Sequence, residues 1–426
     1  ETLIKSSKID EEEITKQLQQ KLEDGNLQDA NDDGIIDESD VQAVKEQITD
    51  EKKQKIDFIV ENSSDENTTF LSDVIDQSDE QNIGETIEKI IETKDTLVEG
   101  VVGNLSDKDN EFITTSSSEE AGLIKEKIFE TIVSKETDKS AEVLSKVMAK
   151  SDEATVSSVI NNITEKNVNE ESKLSLKVMA DFSEKNPEKL ETLAQNNADQ
   201  IEKLTISAVE EAESSQEDAD LIAKVVAVAS DEITNKVINE VTKNSIDENQ
   251  ALSAKVMKSI VEKTPDKIKN LNEENKETLI TQTVESARNQ NEDKENKSND
   301  LSDVVADIIM DADIDTSAEI IEKLNNIITE EKSDLNLSIL ENLNNKDFYE
   351  EKLEIISVRS NSNKGSVERF ISKSLTDLTT DDKLDRVVKL VNKSKGIVAD
   401  KIIETGKNDK ESMNKVVKII TTIIEK

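Results

Sequence analysis

The chain is duplicated within itself. Ala141 to Asp218 can be laid over Ala219 onward without a gap at an offset of 78. Lys146-Val147-Met148 falls on Lys224-Val225-Val226, and Lys177-Val178-Met179 on Lys255-Val256-Met257. The sequence has 2 prolines, Pro187 and Pro265, and they coincide in this register. An earlier copy matches at an offset of 73, where LSDVIDQSDEQNIGETIEKI (71–90) lies over LSKVMAKSDEATVSSVINNI (144–163). Weaker copies begin near Leu301 and in 387–420. Together they suggest about four or five units of roughly 73 to 86 residues, from about 70 onward. A half-repeat is visible inside each, since Leu-Ser-x-Lys-Val-Met starts at Leu174 and Leu252, with a variant at Leu144. Self-similarity of this length restricts the fold to one built by stacking copies of one supersecondary unit.

The periodicity inside the units is helical. Val156, Val159, Ile160 and Ile163 stand at i, i+3, i+4 and i+7, one face of an α-helix. Leu174, Val178, Met179 and Phe182 form a second stripe, repeated as Leu252, Val256, Met257 and Ile260. Strand-like alternation is absent, and no Gly lies between Gly122 and Gly365. Asn186-Pro187 and Thr264-Pro265 predict an N-cap followed by proline in the first turn. Ser78, Ser151 and Ser230, each followed by Asp-Glu, predict hydroxyl caps before carboxylates that suit the N-terminal dipole. One-striped helices of this size are unstable alone and bury their stripes against neighbours. The expected fold is therefore all-α: tandem helical hairpins forming an elongated α-solenoid, in general style similar to HEAT or armadillo arrays. Polar stretches at 61–68, 105–120, 288–300 and 359–366 are the expected joints. The expected division is an N-terminal module, 1–60, and an array, 61–426.

Composition narrows the chemistry. Cys, His and Trp are all absent. That excludes disulfides, Cys or His zinc sites, thiol nucleophiles and His-based triads. With 54 Lys+Arg against 96 Asp+Glu the formal net charge is -42, which disfavours nucleic acid and anionic lipid as partners. No apolar run is long enough to cross a bilayer, so membrane insertion is not expected. The chain opens on Glu1 without a signal peptide, as a processed chain or a fragment would.

One segment carries a ligand pattern. In DANDDGIIDESD (29–40), Asp29, Asn31 and Asp33 occupy positions 1, 3 and 5 of a twelve-residue loop. Gly34 is at the turning position 6, Ile35 offers its carbonyl at 7, and Asp37 and Asp40 stand at 9 and 12. Hard cations such as Ca2+ take six to eight oxygens, and this spacing wraps them around one point. Ile36 is expected to point inward and anchor the loop. The segment resembles an EF-hand loop, more closely a dockerin calcium loop, with Val41 and Val44 fitting the exiting helix. Dockerins carry two such loops and this chain has one, so the resemblance implies calcium binding alone.

Other candidates have plainer readings. Runs such as Glu11, Glu12 and Glu13 suit solvated helix faces, and the Lys-Val-Met boxes suit core stripes with a lysine reaching outward. An enzyme would have to work with Asp, Glu, Lys, Ser or Tyr349, without the aromatic clefts that glycosidases use. The chain is therefore expected to be non-catalytic. The first functional expectation is a calcium-stabilised structural protein of the cell exterior, assembling with itself into a layer, filament or stalk. The apolar segment Val416 to Ile424 (VVKIITTII) is a candidate contact. The alternative is a secreted adhesin or scaffold whose solenoid binds another surface protein or a glycan.

Overall fold

A computed structural model describes residues 10–115, 119–165, 173–247, 251–292, 301–327, 334–374 and 381–394, with positions 396, 398–400, 404, 414, 417 and 421. Every regular element among these is helical. Most of Val416–Ile424 and parts of the joints at 105–120 and 288–300 lie outside the described residues. The chain divides into two compact units, Glu1–Glu211 and Ala212–Lys426.

In the first unit, α1 (Glu11–Glu23) and α2 (Glu38–Asn62) form an opening hairpin. Then come α3 (Thr68–Ile75), α4 (Glu80–Lys94), α5 (Val98–Asp107) and the single turn α6 (Glu111–Thr114). The unit continues with α7 (Glu119–Val133), α8 (Asp138–Lys150), α9 (Glu153–Glu165), α10 (Leu174–Lys185), α11 (Pro187–Asn196) and α12 (Ala198–Glu210). Two rows of helices emerge from the packing. One runs α3, α5, α8, α10, and the other α2, α4, α7, α9, α12. Each helix touches the one above it in its row, the stacking that defines a solenoid. Helix α2 runs past residue 60 without a break, and its Lys53 and Asp57 pair with Glu85 and Lys89 of α4 at 2.7 and 2.6 Å.

The second unit is built alike. It comprises α13 (Gln216–Val228), α14 (Asp231–Asp247), α15 (Leu252–Lys263), α16 (Asp266–Lys269), α17 (Glu273–Glu292), α18 (Leu301–Asp311) and α19 (Ile314–Ile327). After these come α20 (Asp334–Asn344), α21 (Tyr349–Arg359), α22 (Asn361–Ser374) and α23 (Asp381–Lys393). Its rows are α13, α15, α18, α20, α23 and α14, α17, α19, α22, with α21 packed on α22 and α19 beside them.

The predicted stripes are the core. Val156, Val159, Ile160, Ile163, Leu174, Val178, Met179 and Phe182 are all buried, as are Leu252, Val256, Met257 and Ile260. Small residues let rows close up: a Cβ on Gly100 in α5 would stand 2.7 Å from Thr68 Cγ2 in α3. Two of the Lys-Val-Met lysines reach outward to acidic partners, Lys146 to Asp107 at 3.2 Å and Lys177 to Asp138 at 2.7 Å, while Lys255 donates to the Ser214 carbonyl at 2.5 Å.

Capping differs in detail from expectation. Asp79 and Asp152, not the serines before them, accept from the first-turn amides Asn82 N–H and Thr155 N–H. Only Ser230 keeps the hydroxyl role, accepting from Ile233 N–H at 3.3 Å. Carboxylate wins because it is the stronger acceptor and also carries the charge that the helix dipole favours. Asn186 makes no side-chain cap, and the Thr264 hydroxyl finds no partner; Pro187 is the first residue of α11, whereas Pro265 is itself the cap of α16. The joint at 359–366 shrinks to Ser360, because α22 begins at Asn361.

A lysine device recurs between layers. Lys94 donates to the carbonyl of Ser63, the residue after α2, at 2.8 Å. Lys135 does the same for Asp95 after α4, at 2.6 Å, and Lys352 for Ala312 after α18, at 2.6 Å. Lys189 and Lys267 reach Ser151 after α8 and Ala229 after α13. These last two lysines sit just after the two prolines, 78 residues apart as the duplication requires. Burial pulls the Lys189 and Lys352 ammonium groups below the ordinary lysine pKa, against the nearby carboxylates Asp152 and Asp313. The cross-layer separations are mostly 38 to 40 residues, half the 78-residue offset. Each sequence repeat thus contains two structural layers.

Two substitutions test this architecture. Val159→Asp places a carboxylate in a fully buried seam and should cost several kcal/mol, on the order of 3 or more. Lys267→Met keeps the aliphatic stem and removes the donor to Ala229, for an expected loss of about 1–2 kcal/mol. Thermal melts followed by far-ultraviolet circular dichroism would check both. Unchanged melting for Lys267→Met would remove the lysine device as a stabilising element.

Candidate metal centre

The loop at 29–40 bridges α1 and α2, whose hairpin closes on its own small core of Ile14, Leu18, Leu27 and Val41. Leu22, Val44 and Ile48 complete it. Gly34 has φ +84, a left-handed conformation in which a Cβ would be strained, so the glycine is needed for its backbone. Asp32 also lies at positive φ, +58, a region that Asp tolerates better than most residues. Together they fold the loop back on itself.

Ile36 does not anchor this turn. It is 50% exposed and Ile35 is 62% exposed, because Leu27 and Val41 already fill the hairpin core. The polar side chains do the work instead. Asp29 Oδ2 accepts from Gly34 N–H at 2.8 Å, Asn31 Oδ1 from Asp33 N–H at 3.0 Å, and Asp33 Oδ1 from Ile35 N–H at 2.8 Å. Asp37 is the N-cap of α2, accepting from both the amide and the hydroxyl of Ser39. Ser39 also accepts from the Asn31 side-chain amide at 2.6 Å, which ties the two ends of the loop together.

Asp40 is the centre of the arrangement. Its side chain is buried, and its carboxylate gathers Asp37 N–H at 2.9 Å, Ala30 N–H at 2.6 Å and Asn31 N–H at 3.3 Å. With the Asp37 side chain it forms a reciprocal capping box. The Asp37 amide above all, then those of Ala30 and Asn31, hold its pKa below the ordinary aspartate value, against the opposing effect of burial.

The donor set fits a hard cation. It is all oxygen, four carboxylates with one amide oxygen, and an oxygen that accepts one N–H keeps lone-pair capacity. Asp29 Oδ1 is buried and makes no hydrogen bond, so it is an acceptor without a donor inside the loop. The carboxylates are turned toward the loop's own amides, and among the described residues no three acidic groups are already gathered in metal-holding geometry. Binding would therefore reorient Asp33 and Asp37 and leave Asp40 as the fixed point. Asp29, Asn31, Asp33, Asp37, Asp40 and the Ile35 carbonyl are the groups that would hold Ca2+.

Sequence spacing identified the oxygens of this loop but not Ser39 or the capping role of Asp37 and Asp40. The signal was present as Asp-x-x-Asp at a helix start. Elsewhere, the neighbouring carboxylates Asp107 and Asp109 are taken up by ion pairs with Lys146 and Lys150, at 3.2 and 2.8 Å.

Two outcomes are expected. Calorimetric titration with Ca2+ should give heat for the intact chain and much less for Asp33→Ala; equal heats, or none from either, would remove the metal. Asp40 has a folded-state pKa below its unfolded value, so its stabilisation is in place at and above the ordinary aspartate range. It is lost as pH falls through the lowered value. Acid unfolding of the hairpin should accordingly shift to higher pH in Asp40→Asn, read by circular dichroism on the metal-free protein.

No family model matches the chain, and no curated protein matches it. Among solved structures, one is titled a circular tandem repeat protein with novel repeat topology and enhanced subunit contact surfaces. It aligns over 100% of this chain and 96% of its own, at 14% identity and a TM-score of 0.27.

Proposed function

We propose that this chain is a non-catalytic structural repeat protein of the cell exterior, assembling with copies of itself into a layer, filament or stalk. One calcium ion held by loop 29–40 stiffens its first hairpin. The observation that carries this reading is a group of exposed apolar side chains at one helix, with the exposed Glu351 among them. Helices elsewhere bury their stripes, whereas α21 and the residue before it leave Phe348 76%, Ile355 52% and Val358 82% exposed. Phe348 also has φ +61, a strained conformation for a bulky side chain, worth about 1–3 kcal/mol. Phe58 and Leu123 are also exposed, but each is single in its stretch of sequence, which is ordinary for a folded surface. The absence of Cys, His and Trp supports a role without catalysis.

Charge sets the conditions. At -42, copies repel one another unless divalent cations or salt screen them, and the screening length is about 8 Å at physiological ionic strength. A second reading, a scaffold or adhesin for another protein or a glycan, is favoured by the same charge, which a basic partner would not oppose. Beside Val358 lies an open depression lined by Glu354, Ser357, Lys364 and Asp400, which could take part in such an interface. Multi-angle light scattering over a concentration series, in moderate salt with millimolar Ca2+, separates the two. Mass rising with concentration is expected. A constant monomer mass would transfer the proposal to the partner-binding reading.

A further inference from the structure

The last residue of the first unit is a buried carboxylate. Glu211 follows α12 directly, with its N–H bonded back to the Ser207 carbonyl at 3.1 Å, and it is only 8% exposed. We propose that Glu211 is a proton-operated clasp, which holds the end of α12 to the start of α10 and holds it more firmly once its carboxyl group is neutral.

The clasp answers a local deficit, because α10 starts without a cap of its own. Lys173, at the N-cap position, has φ +54 and makes no side-chain cap. The first-turn amides of α10 must therefore find acceptors elsewhere. Glu211 Oε2 is one, accepting from Leu176 N–H at 3.1 Å. Ser175 Oγ and Ser207 Oγ share a hydrogen bond of 2.7 Å, which ties the same two helices a second time.

Two influences compete over the charge. Burial disfavours the carboxylate, and so does Glu136, in the turn before α8. The donors at Ser175 and Leu176 favour it, as does the positive end of the α10 dipole. Among the described residues Glu136 is the one charged group acting on Glu211, and neither α9 nor α11, which also pack on α12, brings a lysine or arginine to it. At Asp307 paired lysines reverse the effect of burial; at Glu211 burial prevails, and its pKa lies above the ordinary glutamate value of 4.5.

The folded chain thus binds this proton more readily than the unfolded chain does. Stability from Glu211 rises as pH falls through the folded value, and the gain is complete below 4.5. Asp40, in the same unit, has the opposite sign. A neutral carboxyl group still offers an oxygen to Leu176 N–H, so the hydrogen bond survives while the buried charge is removed.

Glu211→Gln keeps the shape and the acceptor and is neutral at every pH. The test compares melting of the two full-length chains without Ca2+, from about pH 7 to about pH 5, by circular dichroism. At about pH 7 the variant should melt a few degrees higher, and the gap should narrow as pH falls. Asp40 is common to both chains and cancels. In a Glu136→Gln background the gain from Glu211→Gln at about pH 7 should be smaller, a coupling that a merely structural role would not produce. A Gln variant that melts lower or does not fold, a gap independent of pH, or a gain unchanged by Glu136→Gln overturns the clasp.

Discussion

The last carbonyls of an α-helix have no partner within the helix, and a stack of short helices multiplies that deficit. This chain meets it with lysine from the following layer. Lys94, Lys135, Lys189, Lys267 and Lys352 each place an ammonium group on the carbonyl that follows a helix. The cation also lies at the negative end of that helix's dipole. The arrangement explains why so acidic a chain retains lysines at set intervals: they register one layer on the next. Apolar stripes alone would allow a helix to slide along its neighbour; a donor that must meet one carbonyl does not.

Ion pairs reinforce the same register. Asp307 of α18 accepts from Lys258 of α15 at 2.5 Å and from Lys346 after α20, joining three consecutive members of one row. Burial works against its ionised form, and the two lysines more than compensate, holding its pKa below the ordinary aspartate value. Arg386 of α23 grips Glu341 of α20 through two nitrogens, at 2.6 and 2.9 Å. Such pairs are individually modest at a surface, about 1 kcal/mol or less, but they are specific to the layer that supplies them.

Periodicity made the helices and their buried faces legible, because burial of Val156, Val159 and Ile163 follows from spacing alone. The duplication made the repeat legible, with the prolines as fixed markers. The size of the structural layer was harder to read. Each layer tolerates different side chains, so sequence similarity is stronger at 78 residues than at about half that distance, where the lysine contacts operate. The metal loop was legible through oxygen spacing, yet the outward placement of Ile36 was not. Leu27, outside the motif, had already taken the place in the core. The exposed apolar side chains at α21 were also invisible, since Phe348, Ile355 and Val358 read as ordinary apolar positions until the neighbours of α21 are known.

The short reach of the lysine contacts has a kinetic consequence. Their span of about 40 residues is roughly a tenth of the chain, a separation typical of rapidly folding helical proteins. A layer can therefore complete its contacts once the next one has left the ribosome, without waiting for distant sequence. Within each unit the nascent chain exposes little more than one unfinished layer at a time. A polypeptide with this many apolar stripes thus keeps its adhesive surface small throughout synthesis.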